Sequence, residues 1–322
     1  MKKIFIKFAK LLGLELIDQN NFTSPTLEKK LSEELSIFNE KSIILPLGEV
    51  KITRKVNSVL IIVRMNTEIE IWDQNKKRLF EHPKIEYSVR SINSLINSIN
   101  FCQNKNPNLK VNTIIIDDHS SEKNLNQVKK MIEGKNIKIL SLDHKKFKSV
   151  IKYQESKETF SNLSSLLQSF EIAKEQGNDL IFFIEDDYLH SQSMLDEMIM
   201  TYERITSQIG KDIFMCPSDY PFLYMDNKKS NILIGNKRHW RTTDKTLCTF
   251  MTSKYLLNEY WENFRKTCLD RHDPFEKYIN EIYQKEICIS PLKSLSIHLT
   301  NINSSYGLSP FIDYKKLWDE SK

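Results

Sequence analysis

Three apolar runs, each released into charged or amide residues, decide most of what this chain can fold into: "SVLIIVRMN" at 58–66, "VNTIIIDDHSS" at 111–121 and "LIFFIEDD" at 180–187. Runs this short, rich in β-branched and aromatic types and apolar at successive positions, read as strands covered on both faces of a sheet. A fourth, "IKILSL", follows the second. Between them the apolar period becomes helical. Ile85, Val89, Ile92, Ile96 and Ile99 form one series, Leu125, Val128 and Met131 a second, and Leu163, Leu166, Leu167 and Phe170 a third. Ser120 or Ser121 is placed to cap the second helix. Ser191 or Ser193 is placed to cap another, with Asp196 and Glu197 in its first turn and Met198, Ile199 and Tyr202 turned inward. This alternation predicts an α/β fold, a mostly parallel sheet with helices on both faces, in which ligands bind beyond the carboxyl ends of the strands. Arg64, Asp117, Asp118, Glu185, Asp186 and Asp187 all fall there.

Residues 1–55 read as an N-terminal extension to a main domain over 56–322. In "MKKIFIKFAKLLGLELI", Ile4, Phe5, Phe8, Leu11 and Leu12 share one helical face, with Lys2, Lys3, Lys7 and Lys10 mostly elsewhere. That pattern suits a helix lying on an anionic membrane, or one packed on the domain or on another subunit. Lys7 and Lys10 interrupt the apolar stretch and no small-residue cleavage site follows, which argues against a secretory signal. A polar link at "DQNNFTSPT", a short helix with Leu27, Leu31 and Leu35 in phase, and a hairpin around Pro46 to Gly48 complete the extension. After residue 210 the pattern is less regular, with a helix from Lys254 to about Phe264, another opening at "DPFEKY" and a strand at "SLSIHLT".

Charge narrows the partners. With 47 basic against 42 acidic residues and a net charge of +5 over 322 residues, the chain carries no excess that would point to nucleic acid. Five cysteines in odd number, without zinc spacing, suit a reducing, cytoplasmic setting. No stretch approaches the length of a membrane-spanning helix. A dinucleotide GxGxxG after the first strand and a P-loop are both missing, so any bound phosphates must be held by a metal and by side chains. The adjacent carboxylates of Glu185, Asp186 and Asp187 repel one another, and Mg²⁺ or Mn²⁺ carrying a diphosphate is the cation expected to offset them.

The ordered set "VLIIVRMN", "TIIIDDHSS", "LIFFIEDD" resembles the nucleotide-sugar-binding half of GT-A-fold, family-2-like glycosyltransferases over about residues 56–200. The resemblance implies a Rossmann-like GT-A fold with a donor-binding half at 56–210 and an acceptor-binding half at 211–322. It also implies transfer, with inversion, from a nucleotide-diphosphate sugar, UDP-linked, to a hydroxyl acceptor such as a cell-surface glycan or glycolipid. On this reading Arg64 and Asp117 or Asp118 contact the nucleoside, while Glu185, Asp186 and Asp187 stand for the DxD element, with Asp187 as the direct metal ligand. This chain departs from the pattern in having "VRMN" for the usual Pro-rich turn and Glu-Asp-Asp for Asp-x-Asp. A late histidine serves as a metal ligand in some such enzymes, which makes His298 either a ligand or a core residue.

A general base is expected downstream. Asp273, read as an N-cap with Pro274 at the first helical position, is one candidate, and Asp219 and Glu276 are the others. In "NKRHWRTTDKT", Arg238 and Arg241 suit donor phosphates and Trp240 a stacked sugar, unless the segment is a solvated loop. Two other functions stay open: a metal-dependent nucleotidyltransferase, which would usually open with a Gly-rich loop, and a binding protein of this fold without turnover.

Overall fold

The computed structural model describes residues 2–14, 35–44, 48–68, 78–225, 229–299 and 307–322. Helix α1 (Lys2–Leu11) precedes a small antiparallel sheet of β1 (Ser36–Ile37), β2 (Lys41–Ile44) and β3 (Gly48–Lys51). There follow β4 (Ser58–Met65), α2 (Lys84–Lys105), β5 (Lys110–Asp117), α3 (Glu122–Met131), β6 (Ile137–Ser141), α4 (His144–Phe147), α5 (Lys157–Gln176), β7 (Leu180–Glu185), β8 (Tyr188–His190) and α6 (Met194–Ile209). The remainder comprises β9 (Phe214–Met215), β10 (Ile232–Ile234), β11 (His239–Thr242), β12 (Phe250–Ser253), α7 (Lys254–Glu259), α8 (Trp261–Leu269), α9 (Lys277–Ile282), β13 (Cys288–Pro291), β14 (Ser296–His298) and α10 (Tyr314–Glu320).

The main sheet has nine strands in the order β10-β11-β13-β9-β12-β7-β4-β5-β6. Strands β7, β4, β5 and β6 are mutually parallel, as the alternating pattern predicts, and β12 enters antiparallel beside β7. The central strands β4 and β7 carry unbroken apolar runs, Val59–Val63 and Leu180–Ile184, because both faces are covered. Val59, Ile61 and Val63 face α2 and α6 together with Leu180, Phe182 and Ile184, whereas Leu60, Ile62, Ile181 and Phe183 face α5, α8 and α9. Leu180 to Ile184 are each at most 2% exposed, so each contributes about 1.5–3 kcal/mol of burial. The acids that follow are held to the end of this rigid strand.

The hairpin forms, with Lys41 paired to Lys51 and Ile44 to Gly48. The "DQNNFTSPT" link and the helix through Leu27 and Leu31 lie outside the described residues, and Leu35, at their edge, is not helical. The helix expected from Lys254 to about Phe264 is two helices, α7 and α8, meeting at Tyr260. Extension and sheet are tied by Glu203 of α6, whose carboxylate accepts the backbone N–H groups of Asn39 (3.0 Å) and Val56 (2.7 Å). Arg54 adds ion pairs to Asp179 (2.7 Å) and Asp212 (2.9 Å). Among the described residues no helix is long and apolar enough to cross a membrane.

Candidate active site

Strand β7 delivers three acids to the carboxyl end of the sheet, and the structure gives each a different partner. Register places Glu185 opposite Arg64 of β4, and their side chains form an ion pair. Arg64 is held in turn by Asn162 (2.6 Å) and Ser165 (3.3 Å) of α5. Burial works against the guanidinium charge, but Glu185 beside it raises the Arg64 pKa above its ordinary value. Asp186 turns toward α2, where Lys84 (2.6 Å) and Ser88 (2.5 Å) meet its carboxylate, and the Asn66 N–H adds a third bond at 3.2 Å. Asp187 meets His298, with Oδ2 and Nε2 3.2 Å apart. Part of the repulsion that the sequence leaves to a divalent ion is thus offset by the chain itself. Cationic side chains from β4 and α2 already face two of them.

His298 reaches the acids because β14 pairs with β8, the short strand directly after them, with His298 opposite Tyr188. The two rings stack at 4.8 Å. Ligand atoms of Glu185, Asp187 and His298 all lie within 4.8 Å of one another. This donor set of carboxylate oxygens and one imidazole nitrogen fits Mn²⁺, and the carboxylates alone fit Mg²⁺. Both oxygens of Asp186 are engaged by α2 and Asn66, which leaves that residue a positioning role.

At the end of β5, Asp117 and Asp118 are both buried. Asp117 accepts the Ser120 N–H at 3.3 Å through Oδ2, while its buried Oδ1 has no hydrogen-bond partner among the described residues. Burial raises the pKa of Asp117, and the bonds from Ser120 oppose the rise. Asp118 is fully occupied by Asn66 (3.1 Å), Ser161, His119 (3.3 Å) and His144 (3.0 Å).

The three base candidates separate cleanly. Asp273 is exposed and caps nothing: α9 opens at Lys277, with Glu276 in the cap position. The helix starts late because Phe275 packs against the core and Glu276 is drawn inward to accept the Cys248 N–H. Burial pushes Glu276 up to about 7, the Cys248 N–H pulls it down, and the charge of Glu185 adds to the rise. Asp219 is wholly buried in an ion pair with Arg241, with the Tyr224 hydroxyl donating to its other oxygen.

The basic cluster is dispersed, which corrects that expectation: Trp240 and Arg241 fall on opposite faces of β11, and Arg238 precedes the strand. Trp240 is completely buried, its Nε1 donating to Glu197 at 3.4 Å beneath Gly235, where any Cβ would collide with the indole. It therefore cannot stack on a sugar. Arg241, on the opposite face of β11, is committed to Asp219, and Arg238 donates to the Lys293 carbonyl at 2.7 Å. Arg241 also borders a cavity of about 230 Å³ lined by Phe222, Thr243 and Tyr283. A buried polar chain leads toward that cavity from beneath His298: Tyr188 to Tyr220 (2.6 Å), Tyr220 to the Thr246 carbonyl (3.4 Å), Thr246 to Tyr283 (2.9 Å). Lys84, Ser88 and Asn162 are site-shaping residues that sequence reasoning missed, since nothing in their local pattern distinguishes them from helix-surface residues.

No protein-family model matches the chain, and no curated protein does. Among solved structures it is similar to S. aureus TarS 1-349, at 10% identity and TM-score 0.41 over 74% of this chain and 58% of that one, so it spans less than two thirds of TarS. It is also similar to the galactosyltransferase LgtC in complex with donor and acceptor sugar analogues, at 11% identity and TM-score 0.37, covering 71% and 72% of the two chains. A third is UDP-glucose pyrophosphorylase complexed with UDP-glucose, at 11% identity and TM-score 0.37, covering 83% and 97%.

Proposed function

We propose that this chain is a glycosyltransferase that moves a sugar from a UDP-linked donor to a hydroxyl acceptor, with inversion. The observation that carries the reading is the convergence of Glu185, Asp187 and His298 at the carboxyl end of β7, across β4 from the acidic end of β5. In open α/β sheets ligands bind at that edge. Asp187 and His298, with Glu185, would hold a divalent ion, which when bound supplies Lewis-acid stabilisation of the leaving diphosphate. Arg64 fixes Glu185, and Lys84 fixes the turn through Asp186. Asp117, with its unpartnered buried oxygen, is the acid available to a ribose hydroxyl or a base N–H.

Glu276 is the proposed general base. Its depressed acidity suits a group that must take a proton from an acceptor hydroxyl near neutral pH, and it stands close enough to Glu185 to feel that charge. The cavity beside Tyr283 is the proposed acceptor position, in keeping with an acceptor-binding half at 211–322. A thermal-shift series tests the reading as a whole. UDP at 100 times its Kd should add about 2.7 kcal/mol to folding stability, with Mn²⁺ or Mg²⁺ present and not without. A flat response to nucleotide diphosphates and their sugars overturns it.

A glycan or glycolipid acceptor at the inner face of a membrane is the proposed setting, and α1 supports it. Ile4, Phe5, Phe8, Leu11 and Leu12 are all exposed, with Leu11 84% so, while Ala9 is buried; Lys7 and Lys10 are exposed among them. An apolar face with interspersed lysines matches an anionic bilayer in both respects. Replacing Phe5 and Phe8 by serine should abolish sedimentation with phosphatidylserine-containing vesicles and leave the melting temperature unchanged. A lower melting temperature with unchanged sedimentation would instead make α1 an internal packing element.

A further inference from the structure

A second cluster of metal-ligating side chains lies at the end of β5, formed by Asp118, His119 and His144, with ligand atoms all within 4.8 Å of one another. Asp118 Oδ2 is held by the Asn66 amide at 3.1 Å and by the Ser161 hydroxyl. That leaves Oδ1 as the atom on which two imidazole nitrogens converge, His144 Nε2 at 3.0 Å and His119 Nδ1 at 3.3 Å. The rings lie face to face, with centroids 4.7 Å apart.

Local structure is built to bring them there. His119 sits in the left-handed region, with φ 57°, a conformation few residues other than glycine adopt, and this places its ring beside the preceding carboxylate. His144 opens α4 directly after Asp143, whose carboxylate caps that turn by accepting from Lys145 and Lys146. Its Nε2 also lies 2.8 Å from the Ser161 hydroxyl. A carboxylate fixed through one oxygen, with the other turned to two histidines, is the arrangement by which outer partners orient a metal ligand.

We propose that Asp118, His119 and His144 form a second divalent-metal site, selective for a borderline ion such as Zn²⁺. Bonds of about 2.0 Å to a tetrahedral ion separate its ligand atoms by about 3.3 Å, close to the spacings between Asp118 and the two histidines. Two neutral imidazoles and one carboxylate favour a transition ion over Mg²⁺, which prefers oxygen alone. Three protein ligands leave a further position open. His119, 61% exposed, provides a path of entry. Asn66 links this cluster to the first acid group, since its side chain meets Asp118 while its backbone N–H meets Asp186. A metal here would lock the β5–α3 turn to α4 beside the crevice. The assignment stands whether or not the chain transfers sugars.

The test is Co²⁺ and Zn²⁺ titration of the full chain carrying Asp187→Asn, which weakens the first cluster, followed by visible absorption and competition with Mg²⁺. One Co²⁺ per chain, with the d–d absorption of a nitrogen-containing site, displaced by Zn²⁺ and not by excess Mg²⁺, is the expected result. His144→Ala should weaken binding by about 100-fold or more, beyond the 10- to 100-fold usual for loss of an outer partner. His119→Gly separates ligation from folding, because glycine accepts the left-handed backbone. Without metal its melting temperature should equal or exceed that of the parent, and with Zn²⁺ the order should reverse. Absence of Co²⁺ binding in the Asp187→Asn chain, or equal Zn²⁺ affinity with and without His119 and His144, overturns the proposal.

Discussion

Asp187→Asn is expected to weaken Mn²⁺ binding by at least about 100-fold and to abolish metal-dependent UDP binding, with turnover falling in step. Loss of an outer partner alone usually costs 10- to 100-fold in metal affinity, and Asp187 is proposed as a direct ligand. The amide preserves shape and can still accept a hydrogen bond, so the strand pairing that seats His298 opposite Tyr188 should survive. Calorimetric titration of Mn²⁺, then of UDP at saturating Mn²⁺, separates the two losses. The reciprocal variant, Asp186→Asn, should differ. Asp186 faces Lys84 and Ser88, so its loss leaves an uncompensated, partly buried ammonium and lowers the melting temperature before it alters metal affinity. Unaltered Mn²⁺ affinity in Asp187→Asn would show that the ion, if bound, lies elsewhere.

Glu276→Gln should lower the turnover rate by about 10²-fold or more, the usual span for a positioned general base, with donor and metal affinity nearly unchanged. In the parent, turnover should rise as pH passes through about 7, where the buried carboxyl ionises, and in the variant this limb should disappear. Stability moves oppositely. A carboxyl raised from 4.5 to about 7 on folding binds its proton more tightly in the native state, so its contribution is fully present below 4.5 and is lost as pH rises through about 7. Glutamine retains an acceptor for the Cys248 N–H and carries no charge, so the variant should be at least as stable as the parent at pH 8. A slow enzyme that is not a weakened protein is the signature sought. Asp273→Asn is the control: an exposed residue outside the helix cap should leave the rate within a few-fold of the parent. If Glu276→Gln turns over normally, the base is another group.

What the sequence made legible follows from the physics of each signal. Strands β4, β5 and β7 were readable because burial on both faces forces long apolar runs, the edge strand β6 because Ile137, Ile139 and Leu140 keep a β-branched, apolar stretch, and α2, α3 and α5 because a one-sided face imposes a helical period. Position at the strand ends was readable for the same reason, so the acids 185–187 could be located. Their partners could not. Lys84 lies 102 residues from Asp186 and His298 lies 111 from Asp187, and only the pairing of β14 with β8 and the packing of α2 bring them together. Asp273 followed by Pro274 carries a genuine local helix-start signal, but the tertiary demand of Phe275 and Glu276 for the core moved the start to Lys277. In "RHWRT" the adjacency of Arg238, Trp240 and Arg241 suggested one cluster, whereas alternation along β11 sends Trp240 and Arg241 to opposite faces and Arg238, before the strand, turns to the Lys293 carbonyl. Asp143 marks a short helix start before His144, but nothing local signals a role for His144, whose partners Asp118 and Ser161 are distant in sequence.

The three carboxylates at the end of β7 are each anchored from a different element: β4 through Arg64, α2 through Lys84, and β14 through His298. Such a turn keeps its shape whether or not an ion visits it. Little chain entropy is then left to be lost at the moment of binding, so affinity is governed by the ion's own dehydration and fit. Zinc-finger domains are the opposite case, since they fold only around their metal. On the proposed reading, a chelator should accordingly act as a reversible brake on turnover and leave the melting temperature of the folded chain unchanged.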